Sequence, residues 1–286
     1  MPPPLAETAP RLSPRDMVNR FRRLLVPQTG RAGSSDVLMS LPSGITFELN
    51  NYLCNNAQYG GAVEALKLKD LLLNIPWGTG PHPPNLRTLF NLTGIDLVNV
   101  FTGKGTPDQM ERTLSFVDFV IREKPQVLRR AFPALVEGGI AYMQDMAVRG
   151  SVLIGLDCNG FVGNWQMAAG YNRCGPNDGI QWWPNRRART SLADVHTYDV
   201  APFANNSHIV ALHRVYEEGG KKYADIAQST GRVGSTSGPQ FSQAHEIRTT
   251  NESGIFTIHP SSAGFNPIVF AGAARVRILA TGFCTV

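Results

Sequence analysis

The chain has 286 residues, enough for one large domain or two small ones. Of these 42% are hydrophobic and 17% charged, which excludes a disordered, highly charged chain. The formal net charge is only +5, and the longest basic clusters, Arg20 to Arg23 and Arg186 to Arg189, are too short for a nucleic-acid tract, so no nucleic-acid partner is expected.

The first residues, MPPPLAETAPRLSPRD, form a proline-rich tail without the charged and apolar regions of a secretory signal. No apolar run reaches the ~18 residues of a membrane span. The expectation is a chain made as a soluble cytoplasmic protein, without membrane insertion. A target outside the cell then implies a signal-peptide-independent route.

Asp16 to Val26 reads as an amphipathic helix capped by Ser13, with Pro14 at its first position. Val37 to Leu53 alternates about a turn at Pro42-Ser43-Gly44 and predicts a hairpin. Ala62 to Leu73 has helical spacing, and Pro76 to Pro84 is a Gly/Pro loop carrying Trp77 and His82. Thr106 caps a clear helix with Pro107 at its start and Met110, Leu114, Val117 and Ile121 on one face. Pro125 to Met146 continues as a second, less regular helical segment.

The second half changes character. Leu156 to Ala169 reads as a helix with small residues, followed by a loop rich in Asn, Arg and Trp. His208 to Tyr216, Lys222 to Gln228, Gly254 to His259 and Ala274 to Ala280 read as strands. Helices followed by antiparallel strands indicate an α+β fold. The expected division is a mainly helical region over 1–135 and a second domain over 136–286, although the first half also fits as part of one larger domain.

Four cysteines, Cys54, Cys158, Cys174 and Cys284, are scattered without a CxxC pair. That excludes a zinc site or dense disulfide framework by pattern, and leaves one disulfide open. No metal or organic cofactor is expected. Cys158 is the cysteine with chemical context. It lies in Gly155-Leu156-Asp157-Cys158-Asn159-Gly160-Phe161-Val162, where Asp157 is a good N-cap and Cys158 opens the helix. Unpaired N–H groups and the partial positive charge of a helix start favour thiolate, so a lowered thiol pKa is expected. Those N–H groups could also hold an oxyanion. Gly160 reads as room for a substrate backbone. Downstream, His208 opens the apolar strand Ser207-His208-Ile209-Val210-Ala211-Leu212 and is the candidate base. Gln228 ends the next strand and is the candidate group to orient the imidazole, with His245 and His259 as competitors. His213 is the rival base, with strand alternation placing it opposite His208.

The DCNGFV segment resembles the nucleophile motif of the NlpC/P60 cysteine peptidases, which are papain-like. SHIVAL is similar to that family's histidine strand, ADIAQS to the strand supplying its third polar residue, and Thr197-Tyr198-Asp199-Val200 to the stretch before its histidine. The likeness covers roughly residues 140 to 235. Asn159 stands where the family has Ser, and Gln228 where His is commoner. The family's PYxWGG segment is missing, with Tyr142 the candidate for its tyrosine. The resemblance implies a papain-like domain, a Cys158–His208–Gln228 triad, and amide-bond hydrolysis in cell-wall peptidoglycan peptides through a thioester. Trp182 and Trp183, with Arg186 and Arg187, are candidates for a substrate wall beside Tyr142. The same residues also suit an acyltransferase or deamidase, and an inactive binding module is the third reading.

Overall fold

The computed structural model describes residues 11–31, 38–54, 62–75, 90–144, 152–171, 187–233, 236–260 and 272–280. Trp77, His82, Cys174, Trp182, Trp183, Arg186 and Cys284 lie outside the described residues.

Helix α1 (Pro14–Arg22) starts as expected. Ser13 and Asp16 form a reciprocal capping box, and Pro14 occupies the first turn. It stops short of Val26, because Leu24, Leu25 and Val26 alternate with period two. Leu24 and Val26 are fully buried while Leu25 is 64% exposed. They open strand β1 (Leu24–Arg31), which pairs antiparallel with β2 (Leu38–Phe47). The hairpin predicted about Pro42-Ser43-Gly44 is therefore replaced: that stretch runs through β2, with Gly44 opposite Pro27.

Helices α2 (Val63–Leu73), α3 (Gly94–Phe101) and α4 (Pro107–Glu123) follow. Thr93 with Asp96 and Thr106 with Gln109 cap α3 and α4 reciprocally. The stretch expected as one helical segment from Pro125 breaks into α5 (Pro125–Arg129), α6 (Pro133–Gly138) and a 3₁₀ turn over Ile140–Met143. Pro133 is the cause, since the residue before a proline avoids the helical region and Phe132 has φ −136°.

Helix α7 (Cys158–Ala169) precedes six strands: β3 (Val200–Pro202), β4 (Ile209–Glu218), β5 (Lys221–Val233), β6 (Thr236–Thr249), β7 (Phe256–Ile258) and β8 (Ala274–Val276). They pair in chain order, each antiparallel to the last. The sheet curls until its edges meet. Val200 and Leu279 exchange N–H···O bonds of 3.0 and 2.8 Å, and Arg277 donates to the Pro202 carbonyl.

Alternation along the strands separates two apolar clusters. Ile209, Ala211 and Ala227 join the helices, while Val210, Leu212 and Ile226 join Phe256, Ile258 and Val276. The first cluster runs from Met17 through Phe119 and Trp165 to Leu279. Residues on both sides of the expected boundary near 135 thus share one core. The fold is α+β, and the first half is built into it. Among the described residues no helix is long and apolar enough to cross a membrane.

Candidate active site

Two backbone segments from the first half fix the approach to Cys158. Leu156 N–H donates to the Asn51 carbonyl (3.1 Å) and Asp157 N–H to the Gly103 carbonyl (3.0 Å). From the other side, the Ser229 hydroxyl of β5 donates to the Leu156 carbonyl at 2.6 Å. Asp157 then caps α7, as expected, by accepting the Gly160 N–H. Its other carboxylate oxygen pairs with Lys104 Nζ at 2.6 Å. Cys158 becomes the first residue of the helix, 6% exposed.

Gly160 has a different task from the one the sequence suggested. A Cβ there would lie 2.0 Å from the Gly103 carbonyl oxygen. The missing side chain makes room for the protein's own backbone.

His208 sits one residue before β4. Its carbonyl accepts the Phe203 N–H at 2.8 Å. Its ring stands edge-on to Phe203, with centroids 5.1 Å apart. Nε2 lies 2.7 Å from Gln228 Oε1, and Gln228 is fully buried on β5. With an amide oxygen as acceptor, Nε2 carries the proton and Nδ1 is left as the basic nitrogen. The next N–H along, that of Ile209, hydrogen-bonds the Cys158 sulfur. The start of β4 therefore meets the start of α7, with the His208–Gln228 pair adjoining the residue whose N–H reaches the sulfur.

The competitors are occupied elsewhere. A bulge between Leu212 and Arg214 puts His213 edge-on to Phe241 and Tyr198. His245 bonds Ser242 and the His259 carbonyl, and His259 bonds Thr257. Tyr142 sits half-buried on the 3₁₀ turn, packed against the helical core. Among the described residues, the tyrosine that faces the sulfur is Tyr52, whose hydroxyl donates to Cys158 Sγ over a long 4.0 Å. Its backbone N–H is tied to Ser237 Oγ at 3.1 Å.

Sequence reasoning missed Tyr52, Lys104 and Gly103, all from the first half. Only Gly103-Lys104-Gly105, a glycine-flanked lysine before the Thr106 cap, carried a local sign of special backbone.

The electrostatics reverse one expectation. Burial, and next the Asp157 charge, push the Cys158 thiol up to about 12, although Lys104, the Tyr52 hydroxyl and the Ile209 N–H pull it down. Burial raises the Asp157 carboxyl, and Lys104 with the first-turn N–H groups of Asn159 and Gly160 only partly offsets this, so those N–H groups serve Asp157 instead of the sulfur. Burial also raises the Tyr52 phenol, which stays protonated. Burial depresses His208 to about 4, against the opposing effect of Gln228. At neutral pH the resting pair is a thiol and a neutral imidazole.

This has a consequence for stability. His208 titrates at about 4 when folded, against 6.5 for a free imidazole. Between those values the unfolded chain binds the extra proton, so stability is fully present above pH 6.5 and is lost as pH falls toward 4. The loss from this one group is up to about 3 kcal/mol. Urea midpoints across that window should fall less steeply for His208→Gln than for the wild type. Equal slopes would show that the imidazole is not held neutral. His213 and His245, also depressed by burial, contribute with the same sign to both proteins.

Among the described residues no cluster of His, Cys, Asp or Glu could hold a metal ion. No family model, curated protein or solved structure matches the chain, so the site is read from its own geometry.

Proposed function

We propose that the protein is a cysteine hydrolase of the NlpC/P60, papain-like kind, cleaving amide bonds in cell-wall peptides by way of a thioester. The observation that carries this reading is the meeting of Cys158 at a helix start with the Ile209 N–H, one residue after a histidine held by Gln228 at 2.7 Å.

The step follows from the resting charges. As sulfur attacks the amide carbonyl, His208 Nδ1 takes the thiol proton, so the ion pair forms only with the new C–S bond. The tetrahedral intermediate expels the amine, which receives that proton from His208. Water, deprotonated by the same nitrogen, then cleaves the thioester to free acid and thiol. Nε2–H stays bonded to Gln228 Oε1 and keeps the ring in register.

Among the described residues, the Tyr52 hydroxyl, protonated and beside the sulfur, is a donor available to the developing oxyanion. Tyr52→Phe should lower kcat about 10²-fold while changing KM little, because the lost bond matters most in the transition state. An equal rise in KM at unchanged kcat would instead place the hydroxyl in ground-state binding.

The reading is tested by mass spectrometry of purified peptidoglycan fragments after incubation with wild type and with Cys158→Ala. A cut made only by the wild type supports it and identifies the bond. If an added amine is incorporated in place of water, the site performs acyl transfer. The raised thiol pKa beside Asp157 is the observation that favours an inactive binding module. Binding without any cut or transfer would establish that alternative.

A further inference from the structure

We infer that Lys104, supplied by the helical half, is a positioning residue that neutralises Asp157 so that the adjacent Cys158 can give up its proton. The inference rests on the reading of Cys158 as nucleophile and adds a device to it that lies outside the Cys–His–Gln arrangement.

Asp157 serves the fold and opposes the chemistry. Its carboxylate caps α7 by taking the Gly160 N–H. It also places a negative charge one residue from the sulfur, where a second negative charge must develop. An uncompensated carboxylate at that position makes ionisation of the thiol costly. Lys104 meets the second carboxylate oxygen at 2.6 Å, with side chains only 16% and 8% exposed. In so dry a place the pairing is weakly screened, and removal of one partner leaves the other charge unbalanced.

The lysine is held to this position by its backbone. Its N–H donates to the Asn99 carbonyl at 2.7 Å. Its carbonyl and that of Gly105 accept the Asn164 side-chain amide of α7 at 3.2 and 2.9 Å. Gly103, before it, accepts the Asp157 N–H. The loop is thus fastened to the nucleophile helix on both sides of Lys104. The other groups around the sulfur are the Tyr52 hydroxyl, with Cys54 beyond it, and the Ile209 N–H with His208 beside it. Among the described residues, Lys104 is the cation near the sulfur.

The experiment is the pH profile of Cys158 alkylation by iodoacetamide, followed by peptide mass spectrometry. It compares wild type, His208→Ala, Lys104→Met, Lys104→Arg and the double variant Lys104→Met with Asp157→Asn. Lys104→Met should move the profile to higher pH and slow labelling at neutral pH about tenfold or more, the equivalent of one pKa unit. Lys104→Arg should restore most of the rate. The double variant should also recover it, because asparagine still caps the helix but carries no charge. A Lys104→Met profile that superimposes on the wild type, or a double variant no faster than the single, overturns the role of Lys104 alone. Labelling indifferent to His208→Ala overturns the nucleophile reading, and the Lys104 role with it.

Discussion

Cys158→Ala should abolish amide turnover, by at least about 10⁴-fold, and His208→Ala should do nearly the same. In the proposed mechanism the two act as one unit. A thiol at about 12 is not a nucleophile until a base removes its proton, and a neutral imidazole at about 4 has nothing to activate without the sulfur. The double variant should be no slower than either single one. Multiplicative losses would mean the two residues act independently. Folding should survive: removing one buried sulfur costs about 1 kcal/mol, far below the effect on rate. The check is steady-state turnover of a susceptible peptidoglycan fragment beside a urea melt of each variant.

The second large effect is structural. Gly103→Ala should destabilise the protein by about 2–5 kcal/mol, from a left-handed backbone and an overlap with fixed neighbours. Gly103 has φ +79°, and a Cβ there would lie 2.0 Å from the Leu53 carbonyl oxygen and 3.0 Å from Asp157 N. Both neighbours are backbone and cannot rotate away. On its other side the Gly103 carbonyl oxygen fills the space against Gly160. Three chain segments stack here, and they carry Tyr52, Lys104 and Cys158. Gly170→Ala is the matching control, with φ +85° but nothing within 4 Å of its Cβ. It should cost only about 1 kcal/mol. Equal urea midpoints for the two variants would remove the stack from the account.

Helix α7 and its cap could be read in the sequence because Asp157, Cys158 and the small residues after them are local signals. So could His208, one residue before the apolar strand β4, and Gln228, although β5 runs past it to Val233 instead of ending there. Strand β6 escaped because its inner residues are polar: Gln240, Ser242 and His245 are all buried, which hides the period-two pattern. The start of strand β1 reads as helix because Leu24, Leu25 and Val26 fit either period in so short a run, and its remainder reads as a loop after Pro27. Tyr52 and Lys104 were out of reach for another reason. Tyr52 lies 106 residues from Cys158, and nothing in the sequence of either segment says that they meet. The raised thiol was hidden likewise, because the cap that places Cys158 also consumes the N–H groups expected to ionise it.

The claim beneath all of this is that Cys158 forms a covalent acyl bond only with help from His208. The most direct measurement is intact-protein and peptide mass spectrometry after rapid acid quench of a reaction with an activated acyl ester. The account predicts an acyl group on Cys158 in the wild type, absent from Cys158→Ala and formed far more slowly in His208→Ala. An acyl group that appears on Cys54 at the same rate, or on Cys158 at a rate untouched by loss of the imidazole, would contradict it.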